Sequence, residues 1–156
     1  MSAGQRSTLG VRSTPCVGIC STTYGDLVCR GCKRFAHEIV AWNTYTDAQR
    51  ERVWERLVQL RDAATAMFVV IDDRDALHEA VRAARLNDPR DRTELSLAYQ
   101  LLRRRARSIE GVASLGLRAL VDDVSSPVAV RDAIDAEFQM RSAAYFEHSF
   151  HTLVDA

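Results

Sequence analysis

Cys16-Val17-Gly18-Ile19-Cys20, followed after eight residues by Cys29-Arg30-Gly31-Cys32, is the stretch on which the reading of this chain turns. All four cysteines of the 156-residue protein fall within it, spaced C-x3-C-x8-C-x2-C. Two close pairs joined by a short loop can bring four sulfurs to one point, as a tetrahedral metal site requires. Gly31 offers the conformational freedom of a tight C-x-x-C turn, and Gly18 has the matching role between the first pair. Backbone N–H groups in such turns can point at sulfur and spread its negative charge.

Other readings of the cysteines are weaker. Unrelated structural thiols have no reason to fall at ligand spacing. A thioredoxin-like redox pair calls for a strand before the C-x-x-C and a βαβ pattern around it, and no convincing strand precedes Cys29. Residues 1–14 carry Arg6 and Arg12 and no apolar run, so no signal peptide or membrane span is expected. The cytoplasm is the expected compartment, where disulfides rarely persist. This leaves Cys16, Cys20, Cys29 and Cys32 as four ligands of a zinc ion or an iron–sulfur cluster. Both sites are anionic. Arg30, Lys33 and Arg34 follow at once and can offset that charge and favour the thiolate.

The residues around the cysteines extend the pattern: Pro15-Cys16, Cys20, Cys29, Gly31, Cys32, Arg34, Glu38-Ile39 and Trp42. This run resembles the bacterial YdhL-like family, domain of unknown function 1289, with its P-C-x-x-x-C, C-x-G-C-x-R and E-I-x-x-W. The resemblance spans about residues 13–60. Phe35-Ala36 stand where that family often has Thr-Leu, and Tyr45 where methionine is common. The resemblance implies an iron–sulfur protein with no established activity, and it favours the cluster slightly over zinc. Ligand chemistry alone leaves the two even.

Outside the cysteine segment the chain reads as helical. Residues 1–13 are polar and expected to be disordered. Tyr24-Gly25-Asp26 reads as a turn, and Leu27-Val28 as a very short strand. Phe35, Ile39 and Trp42 recur at helical spacing and predict a short helix lying over the cysteine turn. Glu38 is expected opposite them, paired with Arg34. With four cysteines at hand, His37 reads as an exposed helix residue rather than a ligand. Thr46-Asp47-Ala48-Gln49 is a capping box opening a helix with the stripe Val53, Leu57, Leu60 and Ala64, widened by Trp54 and Val58. Met67–Ile71 is β-branched and apolar, but a lone strand has no evident partner, so a buried extended link is expected. Asp72, Asp73 and Asp75 read as helix-capping acids rather than a cation site. The following helix carries Leu77, Ala80, Val81 and Ala84, with His78 solvated beside them.

Thr93 to Ile109 is the clearest helix, with Leu95, Ala98, Tyr99, Leu102, Ala106 and Ile109 on one face. Arg103, Arg104, Arg105 and Arg107 make the only dense basic run. It reads as a solvated face paired with nearby acids, because Lys plus Arg equals Asp plus Glu at 21 each and no exposed aromatics interleave. Gly111 and Gly116 loosen the next segment. Ser126-Pro127 opens a last helix running to about His151, with Ile134, Phe138 and Tyr145 on its face and Phe146 and Phe150 beside it. Glu147, His148 and His151 form no second metal half-site.

The expected architecture is mainly α: a tail over 1–13, a four-cysteine module over 14–45, and a body of four or five helices over 46–156. No glycine-rich phosphate loop, G-x-S-x-G elbow or assignable Ser/His/Asp set is present, so nothing specifies an enzyme. The leading functional reading is a non-catalytic metal-binding accessory protein acting on a protein partner. An iron–sulfur electron carrier and a zinc-knuckle nucleic-acid binder are the alternatives. Balanced charge speaks against a nucleic-acid partner, and no membrane association is expected.

Overall fold

The computed structural model of the protein describes residues 14–151, with His151 by its backbone alone. The expected tail over 1–13 and the side chain of His151 lie outside the described residues. The fold is mainly α. Five α-helices occur among the described residues: α1 (Ala36–Ala41), α2 (Asp47–Ala66), α3 (Arg74–Ala83), α4 (Glu94–Arg105) and α5 (Pro127–His151). None is long and apolar enough to cross a membrane.

Local chemistry sets the helix starts. Thr46 and Gln49 form the capping box in full: the Gln49 N–H donates to Thr46 Oγ1 at 3.2 Å, and the Thr46 N–H to Gln49 Oε1 at 2.8 Å. Asp73 accepts from the Ala76 N–H at 3.0 Å, so Asp73 of the acidic cluster caps α3, while Asp72 accepts from Arg118 at 3.4 Å. Ser126 caps α5 through the Ala129 N–H at 3.2 Å, with Pro127 in its first turn. α4 starts at its Thr93 cap and ends at Arg105, and Ala106–Ser108 continue as a 3-10 turn.

Helix α2 is the central element and packs against both α4 and α5. The core gathers Val53, Trp54, Leu57 and Ala64 of α2, Leu77 of α3, Ala98, Leu101 and Leu102 of α4, and Val130, Ile134 and Phe138 of α5. Trp42 joins it from the cysteine side.

The expected lone strand has a partner. Val69–Ile71 (β1) pairs antiparallel with Leu117–Ala119 (β2), with Val69 opposite Ala119 and Ile71 opposite Leu117. Gly116 makes the pairing possible rather than loosening the chain. It takes φ 74°, and a Cβ there would fall 2.1 Å from the Asp73 carbonyl. Its own carbonyl accepts from the N–H groups of Asp72 and Asp73.

Helix α4 is buried over a wider arc than its apolar stripe predicts. Ser96 and Gln100 are buried while Leu95 is only half-buried. The cause is a polar network. Arg61 of α2 donates to Asp91 and Ser96, both at 2.9 Å, and Ser96 donates to Asp62 at 2.7 Å. Once its groups are paired, a polar cluster can occupy a helix interface.

Candidate metal centre

The second cysteine pair lies in a hairpin-like turn. Val28 and Phe35 form an antiparallel bridge at its base. Inside it the Cys29 N–H donates to the Arg34 carbonyl at 2.9 Å, and the Lys33 N–H to the Cys29 carbonyl at 2.9 Å. The left-handed residue of this turn is Lys33, at φ 66°, not Gly31. Gly31 is required for a different reason than the freedom expected of it. A Cβ on it would fall 2.4 Å from the Ile19 carbonyl and 2.9 Å from Val17 Cγ2. The two cysteine-bearing turns touch through this glycine. Gly18 does supply turn freedom, at φ 89°.

Between the pairs, Ser21–Tyr24 form a 3-10 turn closed by Gly25 at φ 98°. The Arg30 N–H donates to Ser21 Oγ at 2.8 Å, tying the turns together a second time. Ser21 was not singled out by sequence, and its place directly after Cys20 is its only signal.

The sulfurs differ in environment. Cys29 is fully buried and Cys32 nearly so. Burial raises the Cys29 thiol pKa, but the backbone N–H groups of Cys32, Ser21 and Gly31 and the Cys32 side chain outweigh it, and the thiol is lowered to about 7. Burial pushes the Cys32 thiol up, opposed by Arg34, whose Nε donates to its sulfur at 3.3 Å. Cys20 is lowered by hydrogen bonds from Thr22 and Thr23, with Thr22 Oγ1 at 3.0 Å. Cys29 lies within electrostatic reach of both Cys20 and Cys32. Cys16 is exposed; the Gly18 N–H donates to its sulfur at 3.5 Å, and the residue lines a cavity with Leu86, Asp88 and Arg103.

Among the described residues, no three His, Cys, Asp or Glu side chains are spaced to hold a metal ion. The donor set nonetheless fits a thiolate-bound metal: a guanidinium on the Cys32 sulfur and a backbone N–H on the Cys16 sulfur are partners for negative charge. His37 is exposed and stacks near Phe35 and Phe150. His148 is exposed too.

The flanking cations divide their work in a way the sequence did not indicate. Arg34 alone touches a cysteine sulfur, while its guanidinium also lies 4.8 Å over the Trp42 ring. Arg30 is exposed and pairs with Asp26 at 3.2 Å. Lys33 is buried and turned toward Asp135 of α5 at 2.6 Å. The expected Glu38–Arg34 pair does not form. Glu38 is buried, accepts from the Phe35 N–H at 2.9 Å, and takes both arms of Arg56 at 2.7 and 2.6 Å. That guanidinium in turn lies 3.9 Å over Phe35. Phe35 and Trp42 are buried as expected, with Ile39 half-buried. Phe35 packs against Phe146 and Phe150 of α5, so the short helix docks on the C-terminal helix as well as on α2.

The arginine run of α4 is exposed, but nearby acids do not pair with it. Arg104 donates to the Ala84 carbonyl at 3.2 Å. The side chains of Arg103, Arg105 and Arg107 make no hydrogen bond or ion pair among the described residues.

Nothing among curated proteins or solved structures matches the chain. Residues 14–61 match the model of a family described as "Protein of unknown function (DUF1289)". The match runs from the residues before Cys16, through both cysteine turns and α1, into α2. The segment of this chain that carries all four cysteines is thus the part that matches the DUF1289 family.

Proposed function

We propose that Cys16, Cys20, Cys29 and Cys32 hold a resident metal centre, an iron–sulfur cluster in preference to zinc, in a non-catalytic cytoplasmic accessory protein that acts on a protein partner. The observation that supports this most is the Arg34 guanidinium, whose Nε donates to the buried Cys32 sulfur at 3.3 Å. A neutral buried thiol gains little from a charged donor, whereas a ligating thiolate gains from it. Gly31 supports the reading too, since its missing Cβ lets the first cysteine turn approach the second. When bound, the group supplies a crosslink between the turns, and a cluster adds the capacity to take up one electron. The protein's own residues bury the two sulfurs of the second pair and set the Arg34 guanidinium against one of them.

A second reading, an iron–sulfur electron carrier, draws on the rim of the module. Cys16 and Ile19 are exposed there, which leaves one side open to a redox partner.

Metal analysis and the visible spectrum of anaerobically purified protein test both readings. Brown protein containing iron and sulfide, bleached on reduction, is the expected result. Colourless protein with roughly one zinc per chain would reverse the choice of metal and remove the electron carrier, because zinc has no redox chemistry. Protein with neither metal would sink the four-cysteine reading.

A further inference from the structure

We propose that the seam between the cysteine segment and helices α4 and α5 binds a small organic anion, a carboxylate or phosphate group on a compact apolar body. A cavity of about 290 Å³ lies there. Val17, Ile19 and Gly31 of the cysteine segment form one wall. Leu102 and Arg103 of α4, with Ile134 of α5, form the other. The volume sits at the small end of ligand sites, which run about 300–1,000 Å³. An apolar lining with a few placed charges is the usual composition of such sites.

The charges at this cavity decide the sign of the ligand. Asp132 and Asp135 also line it, and each already has a cationic partner. Arg131 holds Asp132 at 2.9 Å, and the buried Lys33 holds Asp135 at 2.6 Å. Arg30 at the rim has only an exposed partner, Asp26, and exposed pairs are weak in water. The Arg103 side chain makes no hydrogen bond or ion pair among the described residues. An anion beside Arg103 fits the flat guanidinium fork. Arg103 and Val17 also line the neighbouring cavity of about 410 Å³, to which Arg104 contributes. The unpartnered guanidinium thus sits where the two cavities meet. The site rests on cavity and charge and does not depend on the metal reading, although the cysteine segment is its wall.

Titration of the full-length protein, as purified, with phenyl phosphate, with benzoate and with uncharged benzyl alcohol tests the proposal. Amide NMR shifts give the readout. Saturable shifts at Val17, Ile19, Gly31 and Leu102 are expected with at least one anion, and the tighter anion identifies the head group. Arg103→Ala should weaken that binding roughly tenfold, as loss of a charge-assisted contact does. Arg103→Lys, which keeps the charge and loses the fork, should fall between. Arg107→Ala, outside the cavity lining, should leave affinity unchanged. Arg103 is exposed, so its truncation leaves the fold intact, and unchanged amide spectra away from the seam check this. Absence of saturable binding at millimolar concentrations of both anions would overturn the proposal. So would equal binding of benzyl alcohol, or an affinity indifferent to Arg103→Ala.

Discussion

The ammonium of Lys33 lies 2.6 Å from the Asp135 carboxylate, joining the turn after Cys32 to the middle of α5. Lys33 is 1% exposed and Asp135 54%. The carbonyls of Arg30 and Gly31 take further protons of the same ammonium. A cation tolerates such burial only when it is paired and hydrogen-bonded. The turn is thus fixed from inside by a side chain whose partner lies about a hundred residues away in sequence.

Asp135→Asn should loosen this link. It leaves a buried ammonium with neutral acceptors only. The expected loss is about 2 kcal/mol in denaturant unfolding, below the ~3–5 kcal/mol of a fully buried pair because Asp135 is half exposed. Faster hydrogen exchange across residues 29–34 should accompany it. Unchanged stability and exchange would show that the carbonyls alone satisfy Lys33.

Gly31→Ala should separate the two cysteine turns. The new methyl would fall 2.4 Å from the Ile19 carbonyl, closer than any Cβ sits to backbone oxygen. Gly18→Ala meets no atom and suffers only its left-handed φ of 89°, so it should be milder. Metal content of the two variants compares them, with the larger loss expected for Gly31→Ala.

Each of Cys16→Ser, Cys20→Ser, Cys29→Ser and Cys32→Ser should sharply reduce metal content, since three ligands leave a labile position. Chelation should raise hydrogen exchange across residues 16–32 while α2, α4 and α5 keep their protection. Full occupancy in any one serine variant would remove that cysteine from the site.

Metal-free, reduced protein should gain stability as pH rises toward 9. The Cys29 thiol is lowered from 9.0 to about 7 in the fold, so the folded state favours the thiolate. That contribution is present in full above the unfolded value and is lost as pH falls through about 7. Cys29→Ser should flatten the profile between these values. Denaturant midpoints measured across that window give the test.

Trp42→Ala should cost about 3 kcal/mol, the usual price of a large aromatic truncation. Trp42 is buried in the core and its ring is flanked by Arg34 at 4.8 Å and Arg50 at 6.0 Å. Arg34 also donates to Cys32, so the spectrum of the bound metal should shift as well. A stability loss with an unaltered spectrum would uncouple the ring from the sulfur.

The sequence by itself determined the helical class, the three side-chain caps at Thr46, Asp73 and Ser126, the burial of Phe35 and Trp42, and the clustering of four cysteines. These are local matters: hydroxyl or carboxylate spacing, apolar periodicity and ligand spacing act over a few residues. Tertiary structure alone decided the pairing of β1 with β2, because a three-residue strand carries no mark of a partner some fifty residues on. It likewise sent Glu38 to Arg56 and Lys33 to Asp135, although Arg34 stood at ideal helical spacing from Glu38. Buried charges take whichever partner the packing brings within reach, and desolvation makes that partner obligatory. Arg61, Asp91 and Ser96 escaped a pattern search for the same reason: their burial depends on one another, and only the packing of α2 against α4 brings them together.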